Sequence, residues 1–483
     1  MLRNQLYWSL TLRILSQIAT FVISIFVARL LDPSDFGVMG IAMMLIGYAN
    51  VFTDFGFSQA IIQKNIFENK IINSIFTFNF VISGIFFIIF YILSDFIALY
   101  FDNEECSHVI KTMSFAFVVT SFYVVPSAML RRDLKFKLFS ILELFKNLFM
   151  SFTTLILAYL GYGYWALAYG QLLPMIIFAF IFCLNTRWLP AFKYNHSLMG
   201  DVYSFGVWNF LRTQLEFASR HVDKFYVGKY LGVTSLGYYD KSVSLSNMPI
   251  ESIFMNINSV MFSSYSHLKN DKTEIKKHFK KSICISAILG YPIYIGLFLV
   301  SPYFVYSMLG EKWAPMIPAF QVLILAFVFK IFLGNISSLN IAIGKYKEQT
   351  TVFFISFICF LLFIYLFAYY GLAGVSLSCL FFNFIYLILG ICIANKYLQI
   401  PFFEILSPFS GGLIPSILMF FVVELFSSYI FVDYTAINLF LLSIIGFIVY
   451  IILFLLDFTN KIAVEIKSQI FHDILGALLK NRK

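Results

Sequence analysis

Apolar runs of about twenty residues recur along this 483-residue chain, each long enough to cross a bilayer as a helix. Inside lipid every backbone polar group must be bonded internally, so only helices or closed barrels span. Runs of this length predict a polytopic helical membrane protein. Composition agrees: 60% of residues are hydrophobic and 12% are charged. That excludes disorder and leaves too little polar surface for a soluble fold. The net charge of +9 belongs to membrane topology, with no nucleic-acid role.

Fourteen spans are expected, near 8–30, 37–58, 74–95, 108–129, 138–160, 163–184, 202–227, 240–263, 282–304, 314–336, 350–370, 372–394, 407–430 and 434–456. The first, second, seventh and eighth are the least apolar. The first run is too long for a signal h-region and lacks a small-residue cleavage site, so it reads as a membrane helix. Most Lys and Arg fall in alternate loops, among them Arg131, Arg132, Lys135 and Lys137. The loop 95–107 instead carries Asp95, Asp102, Glu104 and Glu105. Positive charge stays inside, so both termini are expected in the cytoplasm. The longest basic run, 268–281, reads as a topology anchor touching anionic lipid. In the tail, Ile462, Ile466, Ile470, Ile474 and Leu478 recur at helical spacing, as in an amphipathic helix on the inner surface.

The chain also contains its own copy. Val27–Gly37 (VARLLDPSDFG) matches Val227–Gly237 (VGKYLGVTSLG) 200 residues later, and Trp8 meets Trp208 at the same offset. Tyr159–Gly163 (YLGYG) matches Tyr369–Ala373 (YYGLA) at an offset of 210. Span one thus corresponds to span seven. Six spans per half is even, so both halves insert with one orientation, related by a pseudo-twofold along the membrane normal. The expected fold is an all-α polytopic membrane protein. It has an N-terminal six-helix lobe over 1–186, a cytoplasmic inter-lobe linker over 187–201 and a C-terminal six-helix lobe over 202–396. An added helix pair over 407–457 and a cytoplasmic amphipathic tail over 458–483 complete it.

A charge at mid-bilayer costs roughly 3 kcal/mol on insertion scales, so it faces protein or a hydrated cavity. Span seven places Asn209, Arg212, Thr213, Glu216, Arg220, Asp223 and Lys224 on one helix face. Span one offers Arg13 and Gln17, span two Asn50 and Asp54, and span eight Glu251, Asn256 and Asn258. These charges either join the halves as internal salt bridges or line a cavity with a cationic bias. In the second reading Arg13, Gln17, Asn209, Arg212 and Arg220 contact substrate, and Asp54, Glu216 and Glu251 are candidates for ion coupling. Glu143 and Lys146 read as packing or loop-proximal residues. Lys330 and Glu424 are lone charges without an assigned role. The six cysteines have no CxxC spacing, and neither GxxxxGK[ST] nor HExxH occurs. No metal or cofactor is therefore expected.

Four segments carry a resemblance: Leu30–Gly37 (LLDPSDFG), Phe52–Gln63 (FTDFGFSQAIIQ), Pro126–Phe136 (PSAMLRRDLKF) and Gly161–Leu167 (GYGYWAL). With them the chain resembles the bacterial lipopolysaccharide, colanic-acid and teichuronic-acid exporters, which are O-antigen-type oligosaccharide flippases. These belong to the multidrug/oligosaccharidyl-lipid/polysaccharide exporter superfamily. The second half departs from the pattern where Gly232-Val233 replaces Asp32-Pro33. The resemblance implies a non-enzymatic exporter in the bacterial inner membrane. It would move a polyprenyl-pyrophosphate-linked repeat unit outward, with membrane lipids and a polysaccharide polymerase as candidate partners. A multidrug exporter of the same superfamily and a membrane polymerase are the competing readings.

Overall fold

The computed structural model describes residues 2–54, 61, 68–195, 214, 217–268, 271–401, 404, 406–430, 432–456 and 462–468. Within them the chain is helical, with no strand. Ten helical stretches are long and apolar enough to cross a membrane. One of these, Tyr346–Leu398, holds two expected spans separated by a tight turn at Ala368–Tyr370. Spans two and eight are helical but more polar, and most of span seven lies outside the described residues.

The residues divide into two compact units, Met1–Lys241 and Ser242–Lys483. The first contains α1 (Leu2–Leu30), α2 (Pro33–Asp54), α3 (Asn69–Tyr100), α4 (Glu105–Arg132), α5 (Phe136–Tyr159) and α6 (Tyr164–Thr186). Residues 217–226 form α7, which ends in a π turn at Val227–Leu231. Helix α8 (Val233–Pro249) runs across the division. A π turn at Ile250–Phe254 leads on to α9 (Met255–His267). The second unit continues with α10 (Lys272–Phe304), α11 (Ile317–Ala342), α12 (Tyr346–Phe367), α13 (Gly371–Leu398), α14 (Leu413–Tyr429) and α15 (Ala436–Leu456).

The duplication reappears as packing. In the first unit α3 packs on α4, α5 on α6, α4 on α6, α2 on α4 and α2 on α3. In the second, α10 packs on α11, α12 on α13, α11 on α13, α9 on α11 and α9 on α10. Each pair is the other shifted by six spans. The added pair α14 and α15 packs on α10, burying Met419, Val423, Leu439 and Leu442 with Leu299 and Tyr303.

The start of α2 explains the LDPSD motif. Pro33 occupies the first helical turn, where its missing N–H costs nothing. The Asp35 carboxylate reaches back to accept from the Asp32 N–H at 2.9 Å, one half of a capping box. In the copy, Gly232 takes φ +90°, a left-handed conformation that Asp would resist. The second repeat match needs a correction. Gly163 (φ 54°, ψ −136°) and Gly371 (φ 65°, ψ −144°) share one backbone conformation at the starts of α6 and α13. The equivalent glycines are therefore 208 residues apart, and the motif pairing shifts by two.

The segment after α6 is pinned where it is described. Trp188 is buried against Phe76, its Nε1–H donates to Asn73 Oδ1 at 3.1 Å, and the Asn195 N–H donates to Ser74 Oγ at 3.0 Å. The basic run is also more ordered than a loop. Asp271 caps α10 by accepting from the Thr273 and Glu274 N–H groups at 3.0 and 3.1 Å. From Lys272 onward the run is therefore the first turns of that helix. In the tail, 462–468 is helical. Ile462, Ala463 and Ile466 pack against Cys284, Ile285 and Ile288, so this part of the apolar face meets protein. Ile470, Ile474 and Leu478 lie outside the described residues.

Candidate functional site

The two halves of the repeated motif lie against each other. A Cβ at Gly37 would stand 1.9 Å from the Val233 carbonyl oxygen, and one at Gly237 would stand 1.8 Å from the Pro33 carbonyl oxygen. Pro33 and Val233 are repeat equivalents, as are Gly37 and Gly237. The contact is reciprocal, as a twofold-related pair requires. Only glycine permits this approach of backbone to backbone. Nearby, the Lys241 ammonium lies 5.3 Å from the Phe36 ring centre and donates to the Ser24 carbonyl at 3.4 Å. Asp35 Oδ1 lies 3.3 Å from a Cβ position at Gly163. Two of the segments that carry the resemblance thus meet at one end of the first unit.

Near the opposite ends of α1 and α5, the first unit holds a cavity of about 360 Å³. Arg13, Ser16 and Gln17 line it from α1, and Ser140, Glu143 and Asn147 from α5. On α5 these three recur at helical spacing, so they share a face. The Asn147 side chain donates to Ser16 Oγ at 3.3 Å, tying the two helices at the wall. Behind the wall, Lys146 donates to Glu143 Oε1 and Oε2 at 2.8 and 3.0 Å, and the Tyr123 hydroxyl donates to Oε1 at 2.5 Å. Glu143 is therefore spoken for. Arg13 makes no ion pair among the described residues. The wall thus carries one cation, Arg13, and one carboxylate, Glu143, whose charge Lys146 offsets, which leaves the guanidinium available to an anion.

Glu143 packs α5 against α4 through Tyr123, as the sequence reading has it, and it has a second place as well. It contributes to the cavity wall, with Lys146 and Tyr123 as its partners. The signal is the 140, 143, 147 spacing, which becomes informative only once α5 is known to pack on α1.

The described part of the span-seven stripe divides. Asp223 is buried and accepts from the Tyr239 hydroxyl at 2.8 Å, while Lys224 pairs with Asp240. Both residues knit α7 to α8. Arg220 is exposed. Asn209, Arg212 and Glu216 lie outside the described residues, and so does the Asp54 side chain at the end of α2.

In the second unit, Glu251 is exposed on the π turn Ile250–Phe254 and accepts from the Asn247 amide. Lys330 donates to Asn247 Oδ1 at 2.9 Å, and its ammonium lies 4.3 Å from the Phe327 ring centre. Lys330 thus belongs to a polar chain from α11 through Asn247 to Glu251. π turns are frequent at functional sites. Glu424 is exposed on α14. Among the described residues no group of His, Cys, Asp and Glu could hold a metal ion.

The sequence profile of a family described as polysaccharide biosynthesis protein matches residues 26–318, more than half of the chain. The chain is 24% identical over 486 residues to an uncharacterized membrane protein in the cps region of Klebsiella pneumoniae, covering 97% of each. It is 23% identical over 311 residues to the teichuronic acid biosynthesis protein TuaB of Bacillus subtilis (strain 168), where it spans 62% of that protein's length. Among solved structures, the lipid II flippase MurJ in an inward closed conformation matches with a TM-score of 0.75. The match has 16% identity and covers 92% of this chain and 97% of that one. An inward-facing multidrug resistance MATE family transporter of the MOP superfamily matches with a TM-score of 0.62 and 17% identity. That match covers 79% of this chain and 94% of the other. At these identities the likeness to the solved structures is one of fold.

Proposed function

The chain belongs to the polysaccharide biosynthesis protein family, and we propose that it flips a polyprenyl-pyrophosphate-linked oligosaccharide repeat unit across the cytoplasmic membrane by alternating access. The observation that carries this reading is the cavity between α1 and α5, with Arg13 on its wall and Glu143 held by Lys146. A guanidinium presents a planar fork of donors that matches phosphate oxygens. Gln17, Ser16 and Asn147 add the hydroxyl and amide groups that hold sugars. At about 360 Å³ the cavity lies at the lower end of small-molecule sites, which suits a pyrophosphate and its first sugar.

The charge bias of the loops supports an inner-membrane protein with both termini in the cytoplasm. Spans one and five then both start on the inner face, and Arg13 and Ser140 lie near those starts. The cavity opens where a lipid-linked substrate arrives. Asn209, Arg212 and Arg220 of span seven are the further candidates for contact with the anionic substrate. Asp54, Glu216 and Glu251 are the carboxylates through which an ion gradient would act, and Glu251 stands on a backbone irregularity able to shift. The lobes of this reading are 1–186 and 202–396, with the added pair on α10 offering a groove for the polyprenyl tail. A polysaccharide polymerase on the outer face takes the product. The protein itself makes and breaks no covalent bond.

Deletion in the native host tests this reading. Lipid-linked repeat units should accumulate and surface polysaccharide should fall. Unchanged amounts of both would overturn it, and repeat units that are flipped but unpolymerised would indicate a polymerase.

A further inference from the structure

A second, smaller cleft lies between α10 and the tail helix at 462–468. Its volume is about 80 Å³, and Lys277, Lys280 and Lys281 line it opposite Ile462, Glu465 and Ile466. The lysines are spaced to share one face of α10. The apolar run of α10 begins directly after them, with Ser282 and Ile283. At 1.5 Å per residue the three ammonium groups spring from within about 8 Å of that boundary, the depth of lipid headgroups. The tail helix closes the other side because Ile462, Ala463 and Ile466 are docked on Cys284, Ile285 and Ile288 one to two turns further along.

Lys272 and Lys276 precede the three lysines on the same helix, with Glu274 between them. Glu404 pairs with Lys280 and lies 4.0 Å from Lys276, and the Lys280 ammonium holds its carboxyl below the usual carboxylate range. Glu465 is exposed on the tail helix. Among the described residues, the start of α10 and the tail helix carry six lysines, Lys467 included, against Asp271, Glu274, Glu404 and Glu465, which is a positive excess. The space equals a few water molecules, which fits a tetrahedral phosphate and is too small for a sugar.

We propose that this cleft binds the headgroup phosphate of an anionic phospholipid and so fastens the tail helix to the inner face of the second unit. The ligand chemistry is a phosphate oxyanion. The membrane is its source, because the lysines lie at the headgroup boundary of a spanning helix. The proposal does not depend on what the protein transports.

The test uses the full chain in nanodiscs of phosphatidylcholine with and without phosphatidylglycerol, with co-purifying lipid counted by native mass spectrometry. The wild type should retain phosphatidylglycerol over phosphatidylcholine. The triple variant K277Q/K280Q/K281Q should lose that preference by about a hundredfold, since each lysine near an anionic surface contributes about one power of five. Glu465→Gln, at an exposed position, should strengthen retention and shows that the site can be tuned in a folded protein. Hydrogen exchange over 462–468 should slow in phosphatidylglycerol for the wild type alone. Equal retention by wild type and triple variant would overturn the proposal. So would binding of inorganic phosphate without any preference for phosphatidylglycerol, which would assign the cleft to free phosphate.

Discussion

Valine at Gly37 should leave the protein in the membrane but strip it of activity and much of its thermal stability. The added Cβ would meet the Val233 carbonyl oxygen at 1.9 Å, and that atom is backbone with no rotamer to change. Overpacking of this kind costs roughly 1–3 kcal/mol even where side chains can give way, so the upper end is expected here. Gly237→Val should act likewise, because its Cβ would meet the Pro33 carbonyl oxygen at 1.8 Å. The two changes press on one contact from its two sides. Their combined cost should therefore fall well short of the sum. Gly84→Ala is the control: nothing lies within 4 Å of its Cβ position, and alanine is the better helix former. Thermal unfolding in detergent checks all four variants. Equal melting temperatures for Gly37→Val and Gly84→Ala would remove the reciprocal contact from the account.

Alanine at Arg13 should cut transport by about ten- to a hundredfold while the amount of folded protein stays the same. A hydrogen bond from a charged donor contributes about 1.5–3 kcal/mol, and each 1.4 kcal/mol is about tenfold in affinity. Arg13 is exposed at the cavity wall and makes no ion pair among the described residues, so its removal leaves no charge unpaired there. The loss should fall mainly on apparent substrate affinity. Lysine at the same position keeps the charge but loses the two-pronged geometry, and should recover part of the activity. Glu143→Gln should behave differently. It releases Lys146 and raises the positive charge of the wall, so anion binding should tighten and release should slow. A purified-protein binding assay with a soluble pyrophosphate analogue separates the two effects. Equal affinity for wild type and Arg13→Ala would exclude the cavity as the anion site.

The membrane plan was legible because a span announces itself in about twenty consecutive residues. The described ends of α3 to α6 and α11 to α15 lie within about six residues of the runs read from the sequence, whereas α10 starts ten residues early because Asp271 caps the basic run into the helix. Legibility fell where spans are polar. Helix α8 carries Asp240, Lys241 and Asn247, and these are satisfied by partners that no hydropathy sum contains. The repeat was visible as letters. Its meaning was not, since Gly37 and Gly237 are separated by 200 residues and touch only in the fold. The 210-residue match slipped by two for a related reason: tyrosines flank both turns, and only the backbone angles at Gly163 and Gly371 set the register. Arg13 and Gln17 could be singled out because charge and amide are rare in a spanning helix. Glu143 could not, because its role depends on α5 packing against α1, a contact spanning about 130 positions of sequence.

Flipping can be measured with the purified full chain in sealed vesicles, using a fluorescent polyprenyl-pyrophosphate oligosaccharide on one leaflet. A glycosidase added outside reports how much of the label crosses. Crossing should depend on the wild-type protein, fall by at least about tenfold with Arg13→Ala, and be competed by unlabelled lipid-linked sugar but not by cationic dyes. Crossing no faster than in empty vesicles, or transport of cationic dyes in place of the lipid-linked sugar, would contradict it.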